Sequence, residues 1–338
     1  MSRKKHRICI VEGDGIGPEV IGAGLRLLVS LPLSFDFSQA RAGYRCYEET
    51  GASLPPETVE ACRQADAVLF GAVTTPPAIP NYHSPIVRLR KELDLYANVR
   101  PFFSLPLASS RQGIDFVIVR ENTEDLYCGR ERLIDGGAIA ERLITRKASQ
   151  RIVEFAFRLA ERERRPSVTV VHKANILRLT DGLFLEEAAK VAVSYPEITM
   201  ETALVDSCAM RLIQEPESFH VLVTTNMFGD ILSDEAAALV GGLGVAASAN
   251  LGLDRGLFEP VHGSAPDLAG KGQANPVASF FAIEMMLRWL GEEQTAVELH
   301  RAILSSLEEG YTTPDLGGKG GTAEVTDVVI RLMRGTSC

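Results

Sequence analysis

Short apolar runs separated by longer stretches of helical character recur along this chain, and that alternation constrains the fold more than any single motif. The runs at 7–11, 67–70, 116–119, 168–172 and 221–224 are rich in Val, Ile and Phe and read as buried strands. Segments 17–31, 56–63, 149–164, 182–193, 233–241, 278–290 and 293–309 read as helices, the third of them closed by Pro166. The pattern is that of an α/β protein. A length of 338 residues is enough for two domains with their own cores. A Pro/Ser-rich interval, 101–113, and a Gly-rich one, 241–256, read as crossings between them. No internal repeat or low-complexity segment interrupts the pattern.

Composition narrows the partners. The net charge of −9 with no basic stripe argues against nucleic acid. Apolar content of 46% and charged content of 23% are ordinary for a soluble globular protein. The basic front Arg3-Lys4-Lys5-His6-Arg7 precedes an apolar run of only Ile8 to Val11, too short for a secretory signal core. No apolar run reaches membrane-spanning length, so no membrane partner is expected. Six cysteines (Cys9, Cys46, Cys62, Cys128, Cys208, Cys338) lack a paired motif, which places the chain in a reducing compartment such as the cytoplasm.

The chemistry centres on Gly229-Asp230-Ile231-Leu232-Ser233-Asp234, between a buried strand and a helical stretch. Asp230 and Asp234 are four apart, so a helix sets both carboxylates on one face, where they repel unless a cation sits between them. All-oxygen ligands suit a hard ion, Mg²⁺ or Mn²⁺. Asp206 is a candidate third carboxylate, with helix capping an equal reading. Arg90, Arg100 and Arg120 stand near strand ends, where guanidinium forks match carboxylates; each alone reads more simply as a surface ion pair. Lys173, at the exit of the 168–172 strand, is a candidate base or a solvated lysine. Tyr127 reads as a packing aromatic or, beside a carboxylate-binding cleft, as a proton donor.

Two further stretches bear on a cofactor. Gly13-Asp14-Gly15-Ile16-Gly17-Pro18 holds Pro18 where the dinucleotide fingerprint needs its third glycine, so it reads as a tight turn or a cofactor edge, not as a Rossmann loop. Glu259-Pro260-Val261-His262-Gly263-Ser264-Ala265-Pro266-Asp267 is dense in turn formers. Ser264 and the backbone at Gly263 suit a pyrophosphate, and Asp267 suits a ribose 2′-hydroxyl while repelling a 2′-phosphate, which favours NAD over NADP; a plain loop is the competing reading.

These motifs, with Leu95-Tyr96-Ala97-Asn98-Val99-Arg100-Pro101, Arg120-Glu121-Asn122-Thr123-Glu124 and His172-Lys173-Ala174-Asn175, occur in the order in which they resemble the β-decarboxylating dehydrogenases: isocitrate, isopropylmalate, homoisocitrate and tartrate dehydrogenases. The resemblance spans nearly the whole chain. It implies a two-domain α/β fold with a mixed sheet, the first domain formed by 1–100 with 256–338 and the second by 101–255. It implies that Arg90, Arg100 and Arg120 clamp the malate-like carboxylates, with Ser84, Tyr127, Lys173 and Asn175 also at the substrate. It implies that Asp230 and Asp234 bind the metal, and that Asp206 and Lys173 arrive from a partner subunit, hence a homodimer with shared sites. Pairing of dimers into tetramers stays open. Lys173 would be the base, Tyr127 the acid, and His262, Gly263, Ser264, Ala265, Asp267 and Asn275 the NAD loop.

For the substrate, Ser84 matches the serine that receives the extra carboxylate in isocitrate enzymes, while Ile86 departs from the asparagine expected two residues on. Ile86 and Val87 suit part of an isopropyl pocket. The Gly71-Ala72-Val73-Thr74-Thr75-Pro76 and Thr313-Pro314-Asp315-Leu316-Gly317-Gly318 stretches resemble homoisocitrate dehydrogenases most. The expectation is NAD- and metal-dependent oxidative decarboxylation of homoisocitrate to 2-oxoadipate, with isocitrate next and 3-isopropylmalate third; the pathway stays open among lysine biosynthesis, leucine biosynthesis and central metabolism. A non-catalytic regulatory subunit is the reading from another class; it sits poorly with the presence of Asp206, Asp230, Asp234, Lys173 and Tyr127.

Overall fold

A computed structural model describes residues 5–79 and 82–335, so Arg3 and Lys4 of the basic front and Cys338 lie outside the described residues. The strands in chain order are β1 (Lys5–Val11), β2 (Ser34–Ala40), β3 (Ala67–Phe70) and β4 (Ala97–Phe103). They continue as β5 (Asp115–Glu121), β6 (Glu131–Ile134), β7 (Gly137–Ala140) and β8 (Ser167–His172). The last are β9 (Thr199–Leu204), β10 (Val221–Thr224), β11 (Ala247–Leu251) and β12 (Gly256–Pro260). The helices are α1 (Gly17–Ser30), α2 (Tyr44–Thr50), α3 (Pro56–Gln64), α4 (Pro85–Glu92), α5 (Arg146–Glu163) and α6 (Thr180–Ala192). They end with α7 (Val205–Gln214), α8 (Asn226–Val240), α9 (Val277–Trp289), α10 (Glu293–Glu308) and α11 (Thr322–Met333).

The described residues form two compact units. The first comprises Met1–Leu93, Leu105–Ser110 and Gly241–Cys338; the second comprises Asp94–Ser104 and Arg111–Val240. Within the first, strands run in the order β2-β1-β3-β12-β11. All neighbours are parallel except β11 and β12, which are antiparallel. β3 is buried at all four positions, as a strand covered on both faces should be. β2, Ser-Phe-Asp-Phe-Ser-Gln-Ala, is mostly exposed, which is why no apolar run announces it. Helix α9 is buried along most of its length and packs on β12 and β11.

The second unit orders its strands β4-β5-β10-β8-β9, with β4 antiparallel to β5 and the rest parallel. Both units are therefore α/β with mixed pairing. Helix α5 begins at Thr145, whose hydroxyl accepts from Ala148 N at 3.2 Å, and buries Ile152, Val153, Ala156, Phe157 and Ala160, one face at helical spacing. Helices α5 and α6 pack together, as do α7 and α8.

Two expectations need correction. The interval 101–113 is not all crossing: Pro101 lies inside β4, opposite Val117. The interval 241–256 likewise holds β11, whose buried Asn250 is satisfied by Glu259 at 2.7 Å. Polar residues paired inside a sheet leave no hydrophobic signature, so both strands escape a search for apolar runs. Among the described residues no helix is long and apolar enough to cross a membrane.

Candidate active site

In the second unit, sheet register gathers the arginines. Asn98 and Arg100 are two apart on β4 and so share a face, and Asn98 lies opposite Arg120 on β5. Helix α8 lies against β4, β5 and β10. It starts at Asn226, seven residues ahead of the expected 233, so both Asp230 and Asp234 are helical. Gly229 makes the close approach possible: a Cβ there would stand 2.7 Å from Arg120 Cβ and 2.3 Å from Thr224 Oγ1.

The two guanidiniums are almost fully buried, Arg120 at 1% and Arg100 at 5% exposure, and must be paired. Arg120 donates from Nε (3.0 Å) and Nη2 (2.7 Å) to Asn226 Oδ1, and its Nη1 pairs with Asp230 Oδ1. Arg100 donates to Asn98 Oδ1 (2.8 Å) and Ser233 Oγ (2.6 Å), and its ion pairs reach Asp234 at 3.5 Å and Asp230 at 3.6 Å. Tyr127 OH donates to Asp230 Oδ2 at 2.5 Å, and Arg120 Cζ sits 5.0 Å over its ring. Burial pushes the Tyr127 phenol up, as does Asp230, against the opposing pull of Arg120. Burial also raises the Asp234 carboxyl.

Lys173 and Asp206 form a separate pair, Nζ to Oδ1 at 2.5 Å. The lysine holds the Asp206 carboxyl below its usual range. The Lys173 backbone N–H donates to Asp181 Oδ2 at 2.6 Å. Ala174 N donates to His172 Nδ1 at 3.1 Å, and burial lowers the His172 pKa, in keeping with a neutral acceptor ring. Asn175 stands exposed in the turn that follows.

In the first unit, the Gly13–Gly17 turn is a strut. Asp14 accepts from the backbone N–H groups of Tyr44, Arg45 and Thr74 at 2.7, 2.9 and 2.8 Å. Gly15 has φ +59, and a Cβ there would stand 1.9 Å from Ser264 O, so the turn and the 259–267 loop are built against each other. Thr74 Oγ1 donates to Ser264 Oγ at 2.8 Å. Asn275 donates to Asp315 at 2.9 Å. Ala265 holds a left-handed φ of +34, and Gly263 has open space around it. Asp267 is exposed. His262 Nε2 is buried without a partner, and burial lowers the ring's pKa. Arg90 donates to Glu259 Oε1 at 2.8 Å while its Nε is also buried without a partner. Ser84 is the residue ahead of α4, and its side chain caps nothing.

The second unit thus brings Arg100, Arg120, Tyr127, Asp230 and Asp234 together, and Lys173 with Asp206; the first unit gathers Ser264 and Asn275 with His262, Gly263, Ala265 and Asp267 of one loop. Sequence reading missed Asn226, Ser233 and Glu259 as partners of the arginines, together with Asp181. Asn226 and Asp181 have only their position at a helix start as a local signal, Glu259 its position near a strand end, and Ser233, in the middle of α8, has none.

The groups implied by the resemblance can be tested against these residues. Asp230 and Asp234 supply hard oxygens one helical turn apart. Among the described residues no cluster of three His, Cys, Asp or Glu suited to an ion forms. The 262–275 loop fits a dinucleotide: it has an orphaned buried His262 nitrogen, open space at Gly263 and the exposed Asp267 carboxylate.

Comparison with known proteins identifies the family. The family described as isocitrate/isopropylmalate dehydrogenase matches residues 7–329. The chain is 49% identical to a homoisocitrate dehydrogenase of Methanocaldococcus jannaschii, over 97% of this chain and 98% of that protein. It is 51% identical to a 3-isopropylmalate dehydrogenase of Methanothermobacter thermautotrophicus, over 97% and 98%. The crystal structure of isocitrate dehydrogenase from Methylococcus capsulatus superposes with a TM-score of 0.94 at 43% identity, covering 97% of this chain and 99% of that one. With its mixed α/β fold and its ordered motifs, the chain belongs to the isocitrate/isopropylmalate dehydrogenase family.

Proposed function

We propose that this chain catalyses the NAD-dependent, divalent-metal-dependent oxidative decarboxylation of homoisocitrate to 2-oxoadipate and CO₂. The observation that carries the reading is the cluster at α8, where two buried guanidiniums and a tyrosine converge on Asp230. A polycarboxylate and a dication can exchange into that cluster without leaving a buried charge unpaired: guanidiniums turn to the acid, aspartates to the ion. Arg90, Arg100, Arg120, Ser84 and Asn175 take the substrate; the cofactor half is assigned to the first unit, and the metal and subunit contact to the second.

A divalent cation held by Asp230 and Asp234 would supply Lewis-acid polarisation, and a dinucleotide held by the 262–275 loop would supply the hydride acceptor. Lys173 takes the C2 hydroxyl proton as the hydride leaves. The carboxylate on C3 departs as CO₂, its bonding pair moves to C3, and Tyr127 protonates that carbon. Burial, which raises the Tyr127 pKa, favours the protonated phenol that this step needs.

A second copy of the chain supplies Asp206 and Lys173 to each site. Asp206, Met210 and Ile213 share one face of α7 at i, i+4 and i+7. Met210 and Ile213 are 55% and 54% exposed, and Ile231 on α8 is 60% exposed, an apolar surface that a homodimer would cover. Free cysteines among the described residues favour a reducing, cytoplasmic setting.

An uncapped Ser84 hydroxyl at the start of α4 supports a third carboxylate on the substrate. Half-buried Ile86 and Val87 support 3-isopropylmalate as a second reading. Steady-state kinetics of the purified chain on homoisocitrate, isocitrate and 3-isopropylmalate, with NAD and Mg²⁺, decides. Homoisocitrate should give the highest kcat/KM; a value for 3-isopropylmalate far above the other two would end the assignment.

A further inference from the structure

We propose that Arg142 is a positioning residue that holds Tyr127 and Lys173 in place through two buried carboxylates, Asp125 and Asp181. The inference rests on the reading above, in which those two groups transfer the protons. Arg142 lies between β7 and α5, outside every motif singled out in the sequence. Its Nε donates to Asp125 Oδ1 at 2.7 Å, its Nη1 to Asp181 Oδ1 and to Thr180 Oγ1 (3.0 Å), and its Nη2 to Thr225 Oγ1 at 2.9 Å. Its Cζ stands 5.0 Å over the Phe228 ring.

Each partner leads to a reacting group. Asp125 holds a positive φ of +70 and accepts from Leu126 N at 2.9 Å, which starts the turn Leu126–Cys128 that carries Tyr127. Its other oxygen accepts from Met227 N at 3.0 Å, in the first turn of the helix that bears Asp230. Asp181 accepts from the Lys173 N–H at 2.6 Å. Both carboxylates are 0% exposed and need a cation beside them. One planar fork therefore ties three segments together, a geometry that a lysine ammonium cannot reproduce. In a dimer with shared sites, Lys173 serves the neighbouring site, so Arg142 joins the acid of one site to the base of the other.

The test is Arg142→Lys in the full chain, which keeps the charge and removes the fork. We expect kcat to fall roughly tenfold to a hundredfold, as a misplaced reacting group demands. KM for the acid and for NAD should stay within about twofold. Both limbs of the kcat–pH profile should move, a change that a purely structural role would not produce. Where Arg142→Lys fails to fold, Asp181→Asn decides: it retains an oxygen for the Lys173 N–H but drops the charge, and should lower kcat and move only the limb belonging to Lys173. A folded variant with unchanged kcat and pH profile overturns the role, as does a loss confined to KM. Wild-type protein without turnover on any of the three acids overturns the parent reading, and this role with it.

Discussion

In the second unit Asp230 already holds Arg120 and Tyr127, Arg100 holds Ser233 and reaches Asp234, and Lys173 holds Asp206. In the first unit the loop around His262 is less engaged: Asp267 is exposed and His262 Nε2 has no hydrogen-bond partner. The charged cluster is satisfied before any ligand arrives and would bind by exchanging partners. The loop would bind by filling vacant donors and acceptors. Buried charges cannot wait unpaired, whereas an exposed carboxylate on a loop can be solvated by water at little cost. The contrast predicts large effects from single changes in the cluster and small ones in the loop.

The sharpest way to break the contrast is Lys173→Met. Removing the base should lower kcat about 10³-fold while NAD binding, followed by calorimetric titration, stays intact. Near-normal NADH production by the variant would end the base assignment. Gly229→Ala comes next. Its methyl would press on Arg120 and Thr224, so denaturant unfolding should show a loss of about 2–3 kcal/mol, with lower kcat. An unchanged midpoint would mean that α8 can shift without disturbing the cluster.

Glu124 sharpens the comparison through pH. Burial pushes its carboxyl up to about 7 from an ordinary 4.5. The folded state thus favours the protonated form; this contribution is fully present below 4.5 and is lost as pH rises through 7. Glu124 accepts from Thr145 N and Thr145 Oγ1 at 2.8 and 2.9 Å, which a glutamine can largely preserve. Glu124→Gln should remove that fall, on the order of 2 kcal/mol, and leave the variant more stable than wild type at pH 8. A parallel pH–stability curve in both proteins would contradict it. The smallest effect is expected in the loop: Asp267→Asn should reduce the preference for NAD over NADP about tenfold, or about 1.4 kcal/mol, without moving the unfolding curve. A large drop in thermal stability would show that this loop is as pre-engaged as the cluster.

Sequence patterning made some elements legible and hid others for definite reasons. Ala67–Phe70 and Val221–Thr224 are apolar runs buried at every position, so their bounds are visible in the sequence itself. The start of α8 is not, because Asn226 and Gly229 are poor helix formers. There Arg120, bonded to Asn226, and the tight approach at Gly229 override propensity. Arg142 was illegible, since its partners lie 17, 39 and 83 residues away along the chain.

By itself the sequence determined the α/β alternation, the one-turn spacing of Asp230 and Asp234, and the missing third glycine after Gly15. Each is a property of neighbours along one element, where backbone geometry converts spacing into direction. Only the tertiary structure decided which charge meets which: Asp230 with Arg120, Lys173 with Asp206, and Arg142 between Asp125 and Asp181. Those pairings join distant segments, and they are set by strand register and helix packing, because a buried charge must find its counter-charge wherever the packed chain has carried it.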